Sequence, residues 1–226
     1  MCLRPPVANV ERLVIVEAPV PEPDLLLADR QIARALAQGM EVLIVVNKSD
    51  LNAALADELR EEYAPARIPV LRVSAKTGEG LEDLKDALRE KRCCLTGQSG
   101  AGKSTLLNAI MGLDLETGDI SRKIDRGKNT TRHVQLIRKD GLQVMDTAGF
   151  SLLEPEKDLP PEKWKERYPE FQPYEGQCRF HECLHDREPG CAVARAAEEG
   201  KIHPRRLERY RRLLQETREV WRGRYA

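Results

Sequence analysis

The sequence lacks a membrane span, a secretion signal and an excess of charge of either sign. No run of about 18 apolar residues occurs, so no segment is long enough to cross a bilayer as a helix. The segment 1–10 also lacks the apolar stretch of a signal peptide. Because 37 Lys and Arg residues balance 37 Asp and Glu residues, affinity for nucleic acid or membrane would need a local patch. These absences predict a soluble cytoplasmic protein, which we expect to be a monomer.

Short apolar runs alternate with amphipathic stretches between Leu13 and Asp146, which is typical of a mainly parallel sheet with helices on both faces. The predicted strands are 13–16, 42–46, 70–73 and 93–96, with a hairpin of 133–138 and 142–145 around Asp140-Gly141. The predicted helices are 24–38, 52–63, 81–89 and 204–221. Prolines and charged residues replace this pattern after Phe150. We therefore predict one domain at 1–152 and a small helical domain at 153–226.

A glycine-rich turn follows the fourth predicted strand and opens the next helix. It fits the phosphate-binding pattern G-x-x-x-x-G-K-[ST]. The residues predicted to bind the nucleotide here are Gly97, Gln98, Ser99, Gly100, Ala101, Gly102, Lys103, Ser104 and the following Thr105. Its backbone N–H groups would point at phosphate oxygens, and the helix N-terminus would add a partial positive charge. Lys103 would reach the β- and γ-phosphates, and the Ser104 hydroxyl would bind Mg²⁺. The sequence therefore predicts a nucleoside triphosphate site that uses Mg²⁺.

Two further segments complete the predicted phosphate chemistry. Asp146-Thr147-Ala148-Gly149 ends the last strand and resembles the D-x-x-G motif of GTPases. We expect Asp146 to hold the Mg²⁺ shell through water and the Gly149 N–H to sense the γ-phosphate. The polar loop 126–133 supplies a threonine for Mg²⁺ and the γ-phosphate, with Thr131 as first choice and Thr130 as the alternative. The predicted catalytic residues are Lys103, Thr131, Asp146 and Gly149.

Base recognition is predicted at the ends of the second and third strands. Two segments resemble the N-K-x-D and S-A-K motifs of GTPases: Asn47-Lys48-Ser49-Asp50 and Ser74-Ala75-Lys76. The Asp50 carboxylate can accept hydrogen bonds from the ring N–H and the exocyclic amine of guanine, a donor pair that adenine lacks. The Lys48 stem would lie along the base, and the Ala75 N–H would donate to the guanine carbonyl. The nucleotide is therefore predicted to be GTP or GDP.

Three of the six cysteines cluster around a histidine in the C-terminal part of the chain. Their spacing is Cys178-x₄-Cys183-x-His185-x₅-Cys191, with His181 as the alternative fourth ligand. A set of three thiolates and one imidazole suits a structural, tetrahedral zinc ion with no open position. Because this polar segment cannot bury much core, the metal would supply folding energy.

The order of the motifs is rearranged relative to an ordinary G domain, in which the base-reading motifs follow the phosphate motifs. Here N-K-x-D and S-A-K precede the phosphate loop, the switch threonine and D-x-x-G. Because chain termini in compact domains often lie close together, helix 81–89 can join the former ends without disturbing the sheet. The predicted fold class is an α/β, circularly permuted P-loop GTPase followed by a small helical zinc-binding domain.

The last 26 residues, 201–226, concentrate positive charge, with nine Lys and Arg residues against three Glu residues. Such a helix could contact nucleic acid phosphates. The alternative is an ordinary solvated helix face.

Together, the permuted order, the cysteine pattern and the local sequence resemble the circularly permuted GTPases that depend on the small ribosomal subunit, the RsgA/YjeQ family. Besides the motifs, the segment 4–10 and the run 178–191 carry this resemblance. It implies hydrolysis of GTP to GDP and phosphate during late maturation of the small ribosomal subunit. It also implies contact with ribosomal RNA near the decoding region.

Departures from the family pattern concern the N-terminus and the hydrolytic machinery. Family members carry an OB-fold RNA-binding domain before the segment at Arg4, so we expect this sequence either to be truncated or to dispense with that domain. Asn129 stands where the family usually has His, and Phe150 stands where Ras-like enzymes place a catalytic Gln. His133 is a weak substitute. We therefore expect slow intrinsic hydrolysis that the subunit accelerates; the alternative is a GTP-dependent binding module with little or no hydrolysis.

Overall fold

The computed structural model of the protein describes residues 10–113, 135–146, 156 and 158–224. The strands are β1 (Arg12–Glu17), β2 (Glu41–Val46), β3 (Val70–Arg72), β4 (Arg92–Thr96), β5 (Gln135–Lys139) and β6 (Leu142–Asp146). The α-helices of this part of the chain are α1 (Leu25–Ala37), α2 (Ala54–Tyr63), α3 (Leu81–Leu88), α4 (Lys103–Met111), α5 (Ala192–Glu198) and α6 (Pro204–Gly223). The predicted strands and helices are confirmed within a few residues, whereas α5 was not predicted.

The strands form one sheet in the order β3-β2-β1-β4-β6-β5. Strands β1 to β4 and β6 are parallel, while β5 pairs with β6 in an antiparallel hairpin. The prediction of a mainly parallel sheet is therefore confirmed. Because parallel strands end at the same edge, the loops after β2, β3 and β4 lie together at the carboxyl edge.

Alternate residues of the buried strands pack into two separate cores on the two faces of the sheet. Leu13 and Ile15 of β1 pack with α1 and α2, whereas Val14 and Val16 pack with α3 and α4. Strands that read as continuous apolar runs are buried on both faces, as expected for a parallel sheet with helices on each side.

A third core lies in the C-terminal part of the chain and is built around aromatic rings. Tyr168 stacks on Phe171, and both rings meet Tyr210 of α6 edge-on at centroid distances of 4.9 Å. Ala33 of α1 belongs to the same cluster, so this core is continuous with one helix of the sheet domain. Within the described residues, every helix is too short or too polar to act as a membrane span. Residues 147–155 lie outside the described part, so the domain boundary at 152/153 stays a prediction.

A buried ion network joins α1 to α6 beside this core. The Asp29 carboxylate accepts hydrogen bonds from Tyr63 at 2.7 Å and from both Arg206 and Arg209. Asp29 is 0% exposed and Arg206 is 1% exposed. Each arginine also pairs with a second acid, Arg206 with Glu170 and Arg209 with Glu62. The long C-terminal helix is therefore fixed to the sheet domain by charges that are largely buried.

Candidate functional site

The phosphate loop requires glycine at two positions because of its backbone and its close neighbours. Gly97 has a φ of +133°, and a Cβ there would lie 2.1 Å from the carbonyl oxygen of Val16. Gly102 has a φ of +89°, and a Cβ there would lie 2.5 Å from the Asn47 amide nitrogen. Only glycine fits such positions, since an added side chain would collide with backbone and with a buried amide. The loop therefore lies against the carboxyl ends of β1 and β2.

Lys103 is the first residue of α4, and its ammonium group curls back over the phosphate loop. It donates hydrogen bonds to the carbonyl oxygens of Gly97 at 2.8 Å and Gln98 at 2.9 Å. Ser104 follows on the first turn and is half-buried, while Thr105 is exposed. Among the residues that the structure describes, no side chain caps this helix start, so its first N–H groups can bind an anion. The arrangement places a cation and a helix N-terminus on the same loop.

Asn47 connects the base-reading motifs to the phosphate loop. It is 1% exposed, and its amide nitrogen donates to the Ala101 carbonyl at 3.1 Å. Its amide oxygen accepts from the Ala75 N–H at 3.1 Å. One side chain therefore bridges the loop after β4 and the loop after β3. These three loops form a single hydrogen-bonded unit.

Lys48 makes a second bridge to the phosphate loop, and it involves a segment that the sequence motifs missed. Its backbone is left-handed, with a φ of +59°. Its ammonium group donates to the carbonyl oxygens of Gly100 and Val20, each at 2.7 Å. Val20 is exposed, and the neighbouring Pro21 lies beside Gly100. The segment after β1 therefore forms part of the rim of this site.

Asp50 is held in place by the S-A-K segment. Its carboxylate accepts a hydrogen bond from the Ser74 hydroxyl at 2.7 Å, and the Lys76 ammonium lies 4.0 Å away. Ser74 is fully buried, and its oxygen also accepts from the Thr77 N–H at 3.2 Å. In the adjacent turn, Gly80 allows a close approach, because a Cβ there would lie 2.2 Å from a backbone carbonyl. The predicted base-reading residues are thus brought together and oriented.

Glu17, the last residue of β1, is a buried acid that the motifs did not single out. It is 3% exposed, and its backbone carbonyl accepts from the Asn47 N–H at 2.8 Å. Within the described part of the chain, nothing forms a hydrogen bond with its Oε2. Burial, reinforced by the charge of Asp24, raises the pKa of Glu17 to about 8. The available sequence signal was an acid immediately after the apolar run 13–16.

The remaining predicted phosphate residues are only partly described. Asp146 ends β6 and pairs with Leu95 of the central strand β4, so its backbone lies at the carboxyl edge of the sheet. Thr131 and Gly149 lie outside the described residues, as do Thr130 and Asn129. Their predicted roles therefore stay predictions.

The Cys/His cluster of the C-terminal part has the dimensions of a tetrahedral metal site. The His185 Nδ1 lies 3.6 Å from the sulfurs of Cys178 and Cys183 and 3.4 Å from that of Cys191. Zinc bonds of about 2.3 Å to sulfur and about 2.0 Å to nitrogen separate the two atoms by about 3.5 Å in a tetrahedron. The exposed His181 is not in this group. The cluster therefore fits zinc.

The protonation states of the cluster are consistent with a metal-binding role. Burial raises the pKa of Cys183 and of Cys191, so these thiols would stay protonated without a cation. Burial also lowers the pKa of His185 to about 4, which leaves the imidazole neutral at physiological pH. Cysteine binds a metal as the thiolate and histidine as the neutral imidazole, so a divalent cation would stabilise the thiolates here.

The basic residues of α6 are divided between internal contacts and the surface. Arg206 and Arg209 are buried in the ion network, and Arg218 pairs with Asp186 at 2.6 Å. Arg211 donates to the His185 carbonyl at 3.3 Å. The exposed basic residues of this helix are Arg205, Arg212 and Arg222. Contact of this helix with nucleic acid phosphates stays a prediction, and Arg206, Arg209 and Arg218 are engaged within the fold.

The strand order, the phosphate loop after β4 and the base-reading loops after β2 and β3 define a circularly permuted P-loop GTPase. The protein resembles two solved structures over 96% of its length. One is YjeQ from Thermotoga maritima, at 35% identity, a TM-score of 0.77 and 74% coverage of that chain. The other is YloQ, described as a circularly permuted GTPase, at 30% identity, a TM-score of 0.76 and 71% coverage.

Sequence comparisons identify the family. A family model described as RsgA GTPase matches residues 1–156. The small ribosomal subunit biogenesis GTPase RsgA of Moorella thermoacetica is 45% identical over 223 residues, covering 96% of this chain and 76% of that protein. The chain belongs to the RsgA GTPase family, as the sequence resemblance predicted, and is a GTPase of that family.

Proposed function

We propose that the protein binds GTP with Mg²⁺, hydrolyses it to GDP and phosphate, and acts in late maturation of the small ribosomal subunit. The observation that carries this proposal is the bridging position of Asn47, which ties the base-reading loops to the phosphate loop. Such preorganisation supports simultaneous recognition of a guanine base and its phosphates. The name of the Moorella relative supports the ribosomal role.

Guanine recognition is assigned to Asp50, because the buried Ser74 hydroxyl donates a hydrogen bond to its carboxylate and orients it. In Asp50→Asn the amide would lose one acceptor and gain a donor, which suits the carbonyl of xanthine better than the amine of guanine. We expect this variant to lose at least about tenfold in GDP affinity and to gain affinity for xanthosine diphosphate. Asp57→Asn, on the exposed side of α2, is the matched control. Unchanged base preference in Asp50→Asn would contradict the assignment.

Phosphate chemistry is assigned to Lys103 together with Ser104, Thr131, Asp146 and Gly149. When nucleotide binds, Lys103 would exchange its loop carbonyl partners for phosphate oxygens. Ser104 and Thr131 would hold Mg²⁺, which neutralises charge on the transferring phosphoryl group. Asp146 would bind the ion through water, and the Gly149 N–H would contact the γ-phosphate.

The subunit contact is assigned to the C-terminal part of the chain. Exposed arginines on α6, namely Arg205, Arg212 and Arg222, can pair with RNA phosphates. The Cys/His cluster would hold one structural zinc ion and fix the adjoining loop against α6, where the Tyr210 hydroxyl donates to the Leu184 carbonyl at 2.5 Å. A ribosomal role implies a cytoplasmic protein, and we propose that it acts as a monomer.

Sedimentation with purified small ribosomal subunits tests this part of the proposal. We expect co-sedimentation with a non-hydrolysable GTP analogue and weaker association with GDP. Substitution of Arg205, Arg212 and Arg222 by Ala should weaken association and reduce its salt dependence. Equal association in both nucleotide states, unaffected by the triple substitution, would contradict the assignment.

A further inference from the structure

Glu17 ends β1, between the strands β2 and β4 that lead into two of the three loops of the nucleotide site. Its backbone carbonyl accepts from Asn47, the first residue of the base-reading motif. On the other side, Gly97 of the phosphate loop lies directly over the carbonyl of the preceding residue, Val16. The side chain of Glu17 follows the same alternation as Leu13 and Ile15, so it points toward the α1 face of the sheet. A carboxyl group is thus buried on the α1 face at the end of the strand whose backbone contacts both Asn47 and the phosphate loop.

The surroundings of this carboxyl group mostly oppose a negative charge. Glu17 is 3% exposed, and its Oε2 lacks a hydrogen-bond partner among the described residues. Three charged groups act on this carboxyl group: Asp24, which caps α1, Asp29 within α1, and Lys103 of α4. The two acids oppose ionisation, and Asp29 is already engaged with Arg206 and Arg209. Lys103 favours ionisation, but it is the residue that the phosphates require.

We propose that Glu17 is a positioning residue of the nucleotide site whose carboxyl group must carry a proton for tight nucleotide binding. The ionised carboxylate would attract the Lys103 ammonium away from the phosphates and would add a negative charge at the end of β1. The inference rests on the proposed binding of guanine nucleotides. Protonation of this one side chain, which lies outside the motifs, would control the affinity for nucleotide.

The direction of the pH dependence follows from this competition. The pKa of Glu17 is raised to about 8, chiefly by burial, so the carboxyl group is mostly neutral at pH 7. Bound phosphates raise this pKa further, because they add negative charge nearby. The affinity for nucleotide is therefore highest below the pKa that Glu17 has in the nucleotide-free protein, and it falls as the pH rises through that pKa. At about pH 9 roughly one molecule in ten keeps the proton, so the dissociation constant should rise by about fivefold to tenfold.

Titration of a fluorescent GDP analogue between about pH 6.5 and 9.5, at constant free Mg²⁺, tests the proposal directly. We expect the dissociation constant of the wild-type protein to rise by about fivefold to tenfold from pH 7 to 9. Glu17→Gln, which keeps the shape and cannot ionise, should lack this rise. Glu58→Gln, an exposed acid on α2, should behave as wild type. Titration of the nucleotide itself affects all three proteins equally. Parallel profiles for wild type and Glu17→Gln would overturn the proposal.

Proton uptake gives a measurement that does not depend on folding of the variant. Calorimetry at about pH 8.5 in two buffers of different ionisation enthalpy counts the protons that wild-type protein takes up with GDP. We expect about three quarters of a proton, because that fraction of Glu17 is ionised before binding. No measurable uptake at any pH between about 7 and 9.5 would overturn the proposal. Failure of wild type to bind GDP at pH 7 would instead contradict the proposed function.

Discussion

Replacing Asp29 with Asn removes the negative charge that Arg206 and Arg209 share between α1 and α6. The carboxylate accepts from both guanidinium groups and from the Tyr63 hydroxyl, and it is fully buried. An amide offers a single acceptor oxygen and turns an NH₂ group toward a guanidinium. Breaking a buried ion pair costs about 3–5 kcal/mol of unfolding free energy. Because each arginine keeps a second acid, we expect the lower end, about 3 kcal/mol.

Urea denaturation measures this loss, and a second ion pair between the same helices supplies the control. Arg30 of α1 pairs with Glu216 of α6, whose side chain is 35% exposed. A pair that solvent reaches contributes about 1 kcal/mol or less, so Glu216→Gln should lower the urea midpoint much less than Asp29→Asn does. With a denaturant slope of about 3 kcal/mol per M, Asp29→Asn should lower the midpoint by about 1 M. If Asp29→Asn and Glu216→Gln lowered the urea midpoint equally, burial would not explain how the Asp29 network stabilises the fold.

Three further substitutions test separate parts of the structure. Glu17→Gln should stabilise the fold at pH 7 by up to about 3 kcal/mol, because the unfolded carboxyl ionises near pH 4.5 while the folded carboxyl has a pKa of about 8. The gain in urea midpoint should therefore grow between pH 5 and 8, and a gain independent of pH would contradict it. Cys191→Ser should lower both the thermal midpoint and the zinc content measured by atomic absorption. Cys93→Ala, which removes a buried thiol of β4 outside the cluster, should keep the zinc. Equal zinc content in the two variants would argue against the site. Asn47→Ala should weaken GDP binding by about tenfold to a hundredfold, because it breaks hydrogen bonds to two loops, and Asn52→Ala should weaken it by less than about twofold. Similar affinities for these two variants in a fluorescence titration would refute the bridging role of Asn47.

The elements of the sheet domain and the residues of the nucleotide site could be read from the sequence because their signals are local. Gly97 and Gly102 stand at fixed spacing from Lys103, between a buried strand and a helix. Asn47 and Ser74 each follow an apolar run directly, and the parallel sheet then brings their loops to one edge. A short motif at the end of a strand therefore predicts both its chemistry and its place.

Contacts between distant segments could not be predicted from the sequence. Asp29 and Arg206 are separated by 177 positions, and neither lies in a motif. Seen in sequence, Arg206 and Arg209 are two charges on an arginine-rich helix, and nothing local separates them from the arginines that could contact nucleic acid or solvent. The same holds for Glu17, because its effect depends on its burial at the end of β1. Burial and partner identity are properties of the packed chain, which a single sequence does not reveal.

GTP turnover by the purified protein, measured with and without small ribosomal subunits, tests the proposed function most directly. Lys103→Ala is the control, because it removes the cation that the phosphates require while leaving the surface of α6 unchanged. We predict slow turnover by the protein alone, at least about tenfold faster turnover with subunits, and neither with Lys103→Ala. Tight GTP binding without turnover in either condition would contradict hydrolysis and would leave a GTP-dependent binding module. Equal turnover by wild type and Lys103→Ala would contradict the assigned site itself.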